Sequence, residues 1–420
     1  MKMRNRRNAL STLFLAAGGT VEPIPPRQKV LALSPITGCA SFCLLLFCSV
    51  LAFCQTSSQP NSSAGAGQVL VHSQFGGQIF GFDIDQNGTE GLLSEAKTFP
   101  NGNVLAAVET FDQTTGKILK VVALTQPIYP DDDFITMGVV GNSVGLVEHE
   151  HVQNGFVASR TFSTLNPLAS NSFTGVWTPP IGPRHIIMPA GVSRNQGEPL
   201  NAVFAYDNSD QFIPYVFSSN VAANTFGPVV KITDSYDFGS VPPPIGFDSN
   251  TNQAILGGGP GCFDCLPVIG LVDTVKGTFS EFVGIGFGFV NGLAVDAADG
   301  IFCTTTEDDA RVEFYDLATQ NGFTVTLPRS GGQQFYSGAD VEFDPIHKLF
   351  LIAQPNSSSA PSGSTIYVYD TSGNLQETIN GFNFPGGNVV PVHIALHPSL
   401  RSGYVDGPDL GVTEIQSFTY

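Results

Sequence analysis

Charge is scarce in this sequence. Asp, Glu, Lys and Arg make up 13% of its 420 residues, about half the usual share of roughly 25%. The deficit falls on the basic side, with 18 Lys and Arg against 36 Asp and Glu and a net charge of −18. No basic patch is available to displace counterions from a phosphate backbone, which excludes nucleic-acid binding. There is a single Trp, and of the 7 Cys only Cys262, Cys265 and Cys303 lie beyond residue 54, too few for a disulfide framework. One segment alone is long and apolar enough to span a bilayer, which excludes a polytopic membrane protein. No convincing amphipathic helical period is present. G-x-S-x-G, Walker A and H-E-x-x-H are all missing, as is a dinucleotide-binding glycine fingerprint in a strand–helix setting. The sequence therefore reveals an architecture and a compartment better than a reaction.

Apolar residues are plentiful, at 42%, alongside 46 Gly and 29 Pro. This is enough apolar surface to fold a large core, which excludes intrinsic disorder. The first 54 residues stand apart. Lys2, Arg4, Arg6, Arg7, Arg27 and Lys29 precede an apolar run from Val30 to Cys54, densest over Ala40–Ala52. Basic residues ahead of such a run read as an export signal. Ala52 and Cys54 would fit cleavage before Gln55. The same run is long enough for an uncleaved anchor with the bulk of the protein outside. Ile36–Cys39 resembles a bacterial lipobox but precedes the densest part of the apolar run instead of ending it. Each reading places the domain outside the cytoplasm, periplasmic, secreted or held on the membrane. Without residues 1–54 the chain keeps 12 Lys and Arg against 35 Asp and Glu. Residues 55–66 are rich in Ser, Gly, Asn and Gln and read as a flexible linker.

From residue 67 to 420 the chain reads as one array of short strands. β-Branched and aromatic runs alternate with Gly, Pro, Asn and Asp, an all-β signature. Gln78–Asp83, Arg311–Asp316 and Thr365–Asp370 each end in an Asp followed by a turn. Such an Asp can accept the turn N–H groups. A second phrase recurs from Ile245, Gly292, Ala339 and Val392: an apolar strand, an Asp or His turn, then another apolar strand. These starts are 47, 47 and 53 residues apart. A period near 50 with several strands per unit indicates β-propeller blades. Seven blades fit the length best, and six or eight remain open. The strand-like runs Gln68–His72 and Val412–Tyr420 are expected to share one blade and close the ring.

These phrases resemble the repeats of the YVTN-type and lactonase-type seven-bladed propellers. Gly182-Pro183-Arg184-His185 is similar to a phrase of the bacterial 6-phosphogluconolactonase family, although the following Ile-Ile-Met-Pro departs from it. The resemblance implies that Arg184 binds an anionic substrate oxygen and His185 serves as a general base or orients water, with His393 converging on the same axial cleft. Asn291-Gly292-Leu293-Ala294 resembles a phrase of the gluconolactonase and strictosidine synthase-like propellers. In the gluconolactonases that Asn is a ligand of an axial divalent cation, for which Ca²⁺ would suit an amide oxygen and carboxylates.

Other groupings carry weaker expectations. His149 and His151 alternate along a strand and so share one face, a workable pair for Zn²⁺ or Cu²⁺, or simply part of a polar edge strand. Asp131–Asp133 and Glu307–Asp309 read as solvated turns. Cys262 and Cys265 read as a local disulfide in a Gly/Pro-rich loop, given export, and Cys303 as a buried small hydrophobe. The expected function is a monomeric, exported binding or scaffold module for a protein, glycan or small ligand. The alternative is a lactonase-like hydrolase acting on a sugar lactone at the axial face.

Overall fold

A computed structural model of the chain describes residues 65–100, 104–123, 133–140, 144–153, 156–165, 175–177, 191–193, 200–206, 214–220, 223, 225–232, 244–258, 266–285, 288, 290–306, 311–328, 340–355, 364–382, 393–406 and 414–420. They belong to one compact unit, Pro60–Tyr420. Among the described residues the regular structure is β-strand, apart from a short 3₁₀ turn at Pro398–Leu400.

The strands form seven sheets, numbered here as blades in chain order. Blade I comprises Gln78–Ile84, Glu90–Thr98, Val104–Asp112 and Ile118–Ala123. Blade II comprises Asp133–Val140, Val144–Gln153, Phe156–Leu165 and Gly175–Trp177. Blade III has Gly191–Val192, Leu200–Tyr206 and Pro214–Asn220, with two short pieces, Thr225–Phe226 and Val230–Lys231, on its outer side. Blade IV has Ile245–Asp248, Gln253–Gly258, Val268–Asp273 and Thr278–Val283. Blade V has Val290–Asp296, Ile301–Thr306, Arg311–Asp316 and Gly322–Thr326. Blade VI has Asp340–Asp344, Leu349–Gln354, Ser364–Asp370 and Leu375–Phe382. Blade VII takes Ile394–His397, Ser402–Asp406 and Glu414–Thr419 from the end of the chain and Gly65–His72 from its beginning.

Within each blade neighbouring strands are antiparallel. The first strand of every blade contacts the first strand of the next, from blade I round to blade VII and back to blade I. The fold is a closed β-propeller. Its seam is an antiparallel ladder between the two ends of the chain, with Val71 opposite Ile415 and Ala66 opposite Phe418. This ladder starts at Gly65, inside the 55–66 segment read above as linker, because Gly65 and Ala66 already find partners in Thr419 and Phe418.

Burial explains why one blade cannot stand alone. In blade IV the first strand is buried throughout and the second and third nearly so, whereas the fourth is mostly exposed. The inner strands are covered on both faces, so they read as apolar runs without strict alternation. Each core cluster spans neighbouring blades. Phe82, Leu93 and Phe111 of blade I meet Ala395, Tyr404 and Ile415 of blade VII. Cys303 and Phe314 of blade V meet Phe343, Phe350 and Tyr369 of blade VI. Each fully buried large side chain contributes about 1.5–3 kcal/mol.

The phrases beginning near 245, 292, 339 and 392 are the first two strands of blades IV to VII. Two readings need correction. Gln78–Asp83 was grouped with Arg311–Asp316 and Thr365–Asp370, which lie in third strands, yet it lies in the first strand of blade I. First and third strands both run toward the same end of the propeller and finish in the same Asp turn, so the pattern cannot distinguish them. Glu148–His151 does not form an edge. It lies in the second strand of blade II, paired on one side with Asp133–Thr136 and on the other with Ser159–Phe162.

Candidate functional site

The two ends of the propeller differ. At one end the chain turns from first to second strands and from third to fourth strands, mostly through tight turns such as 249–252, 297–300, 345–348 and 371–374. There Asp248, Asp296 and Asp344 accept N–H groups of Asn250, Ala298 and Ile346 at 2.9, 3.1 and 2.8 Å. Asp112, Asp273 and Asp316 do the same in the outer turns. The side-chain hydroxyl of Thr115, the ammonium of Lys276 and the backbone N–H of Thr319 are the leading causes that hold these three carboxyls below their usual pKa. The Asp-turn expectation is met at Asp316 and Asp370, whereas in blade I the strand runs on to Ile84, Asp83 accepts the Ile84 N–H, and Asp85 takes the turn N–H of Asn87. At the opposite end the connections are longer in most blades, for example 259–267 within blade IV, 327–339 between blades V and VI and 383–393 between blades VI and VII.

Three adjacent first strands open polar groups at this long-loop end. In blade V the ladder shifts register between Val290 and Gly292, so Asn291 sits in a bulge. Its Nδ2 is buried with no hydrogen-bond partner. Bulges re-aim side chains and are frequent beside functional sites. Gly292 lets blade V approach blade VI closely, since a Cβ there would meet Val341 N at 2.8 Å and Asp340 Cα at 2.9 Å. Asp340 opens blade VI and ties it to blade VII. Its Oδ1 accepts the Val341 N–H at 2.9 Å and its Oδ2 the Ile394 N–H at 3.2 Å. His393 precedes blade VII. Its N–H and Nδ1 both bond to Asp406, each at 2.8 Å. An imidazole whose Nδ1–H is held by a carboxylate has the tautomer fixed, leaving Nε2 as an acceptor. The side chain of His393 is 17% exposed and that of Asp406 6%. This arrangement suits hydrogen-bonded ligand recognition or proton transfer.

A second polar group lies at the same end, in blade I beside the seam. Glu95 and Glu109 of blade I are both fully buried. They receive the segment that joins Gly65–His72 to the first strand of blade I. Glu95 accepts the Ser73 hydroxyl and the Gly77 N–H, and Glu109 the N–H groups of Gln74 and Phe75 at 3.1 and 2.7 Å. Lys97 Nζ donates to the Phe75 carbonyl at 3.0 Å. Burial, and then the charge of Glu95, push the carboxyl of Glu109 up to about 7, and burial also raises that of Glu95.

The tight-turn end holds a small cavity of about 160 Å³ between blades IV, V and VI, with Ser249, Asp296, Glu342 and Lys348 in its wall. Lys348 Nζ is taken up by Asp296 at 2.8 and 3.1 Å and lies 3.4 Å from Asp299. His397, at the end of the first strand of blade VII, also lies at this end. It bridges to the Gly88 carbonyl at 3.2 Å and to Ser399 at 3.1 Å, which is a packing role.

Of the residues expected from sequence, Asn291 and His393 are placed at the same end of the ring, on blades V and VII. Arg184, His185, Cys262 and Cys265 lie outside the described residues, as does the Glu307–Asp309 run. Of Asp131–Asp133, Asp133 is described, as the first residue of blade II. Cys303 is buried and free, as expected. Among the described residues no cluster of three His, Cys, Asp or Glu is placed to hold a metal. No helix among them is long and apolar enough to cross a membrane. Sequence reasoning missed Asp340, Asp406, Glu95 and Glu109. Asp406 was within reach: His397 pairs with Ser402 across the Pro398–Arg401 turn, which carries His393 opposite Asp406.

No protein-family model matches this chain. No curated protein matches it in sequence. Solved structures do match in fold. Raptor of Chaetomium thermophilum superposes with a TM-score of 0.57 at 12% identity, over 85% of this chain and 29% of that one. U3-55K gives 0.55 at 11% identity, over 84% and 98%. The Cps50 (Swd1) β-propeller domain of Myceliophteria thermophila gives 0.52 at 10% identity, over 84% and 99%. A chain of the mitotic checkpoint complex gives 0.51 at 13% identity, over 94% and 99%. The present chain thus spans less than a third of Raptor. At these identities the likeness is one of fold.

Proposed function

We propose that this protein is an extracytoplasmic binding or scaffold module that engages a partner protein through the long-loop end of its propeller. The observation that carries the reading is the asymmetry of the two ends. One end is mostly closed by tight turns whose Asp carboxylates are bonded to turn N–H groups, with Ser249 Oγ and Glu90 Oε2 buried there without partners. The other bears the longer connections together with Asn291 Nδ2 and the half-buried His393. Longer loops with hydrogen-bonding groups beside them are where recognition is concentrated on a rigid scaffold. The neighbours in fold include a component of a named multiprotein assembly, which supports a protein partner. The basic–apolar character of residues 1–54 supports export. A net charge of −18 favours a partner with a basic surface.

The test compares the ends. Native partner captured by the full chain should be retained by Lys276→Ala, at the tight-turn end, and lost or weakened by His393→Ala. Equal retention by both variants would refute the placement.

The His393–Asp406 pair supports a second reading, a lactonase-like hydrolase using His393 as general base. Hydrolysis of a panel of sugar lactones, absent in His393→Ala and present in the wild type, would establish it. No hydrolysis by the wild type would dispose of it.

A further inference from the structure

The acid pair of blade I beside the seam has features that ring closure alone does not require. Glu95 and Glu109 lie diagonally across the second and third strands of blade I, with Glu95 opposite Ala107 and Leu93 opposite Glu109. Both are wholly buried. Glu109 spends both oxygens on backbone N–H groups and Glu95 spends Oε2 on Ser73 and Gly77. Glu95 Oε1 is buried with no partner. A proton carried by Glu109 and donated to Glu95 would satisfy that oxygen, and it would remove one of two like charges from a site shielded from water. The groups around the pair do not neutralise two charges. Lys97 is the cation that acts on Glu95, and its ammonium is shared with the Phe75 carbonyl and lies over the rings of Phe75 and Phe99. On the joining segment itself, Ser73–Gly77 carries no titratable residue and His72 before it is exposed. Leu93, on the same strand face as the pair, packs on blade VII with Tyr404. The titratable groups at that end of blade VII are His393 and Asp406, bonded to each other, and Glu414 opposite His72. The first strand of blade II, which also packs on blade I, carries Asp133 alone.

We propose that Glu95 and Glu109 form a one-proton latch that clamps the Ser73–Gly77 segment to blade I. With one proton shared, the segment is held closed by the Ser73 hydroxyl and the N–H groups of Gln74, Phe75 and Gly77. When the proton leaves, the two buried carboxylates repel each other and the segment is released. The segment joins the closing strand to the first strand of blade I at the long-loop end, so protonation sets the order of that end. This claim stands whether or not the end binds a partner. The value of about 7 for Glu109 puts the change near neutrality.

Amide hydrogen exchange on the full chain, corrected for the intrinsic pH dependence of exchange, tests the latch. The peptide covering 73–77 should lose about tenfold or more in protection between pH 6 and 8, while Ile255–Gly257 in blade IV stays level. In Glu109→Gln, whose amide can donate to Glu95 without ionising, protection of 73–77 should stay level across that range. Level protection in the wild type would overturn the proposal, and so would a pH response that persists in Glu109→Gln. Should that variant fail to fold, the wild-type comparison of 73–77 with 255–257 decides alone.

Discussion

His393 and Asp406 bond twice, through the backbone N–H to Oδ1 and through Nδ1 to Oδ2, each at 2.8 Å. The carboxylate thus fixes both where blade VII begins and which way its imidazole faces. Asp406 is almost fully buried, so its removal strands two donors. Asp406→Ala should lower stability by about 2–3 kcal/mol in urea unfolding, and Asp406→Asn, which keeps one acceptor, by about half as much. Equal losses would show that the pairing does not matter.

Blades V and VI meet at Gly292. An added Cβ would lie 2.8 Å from Val341 N and 2.9 Å from both Asp340 Cα and Thr305 Oγ1. Backbone atoms cannot yield as a flexible side chain can. Gly292→Ala should therefore cost about 2 kcal/mol or more and disturb the Asp340 link to Ile394. A thermal melt within a degree of the wild type would contradict this packing.

The outer turns repeat a left-handed residue, filled by Gly277 in blade IV, Gln320 in blade V and Gly373 in blade VI, with φ of +70°, +57° and +77°. Side chains other than Gly are strained there. Gln320→Gly should leave the protein as stable or raise stability by up to about 1 kcal/mol, whereas Gly277→Ala should lower it by about 1 kcal/mol. The two changes have opposite signs for one backbone reason, and chemical denaturation of both variants checks them together.

Stability should fall away on both sides of mildly acidic pH. Asp112, Asp273 and Asp316 have depressed pKa values, so their contribution is present above the unfolded value near 3.8 and is lost as the pH drops through their folded values. Glu109 acts in the other direction. Its folded value of about 7 exceeds the unfolded 4.5, so the folded state binds the proton more tightly and stability declines as pH rises between the two. Glu109→Gln should flatten the upper limb and leave the acid limb unchanged in melts across pH 3 to 8.

Much of the architecture was legible because the repeat is written in residues with a mechanical role. The Asp that ends a strand and the apolar run before it mark out blades IV to VII, and the strand at each end of the chain foretold the seam. What the pattern hid has physical reasons. First and third strands end in the same Asp turn, so Gln78–Asp83 looked like its counterparts in other slots. Glu95 and Glu109 each have a polar neighbour in the chain, Ser94 and Thr110, as residues of a solvated strand stretch do, yet the adjoining blade and the Ser73–Gly77 segment bury them. His393 stood out as a residue type, but its partner Asp406 becomes visible only through the register of the hairpin. His397, four residues further on, belongs to the other end of the ring because a strand carries it there.

The most direct test of the central claim, that the long-loop end engages the partner, is paired photo-cross-linking in the native host. A photoreactive residue is placed in turn at Asn291 and His393, at the long-loop end, and at Asp299 and Ser399, at the tight-turn end. The account predicts discrete protein adducts from the first pair and none from the second. Adducts confined to Asp299 and Ser399, or equal from both ends, would contradict it.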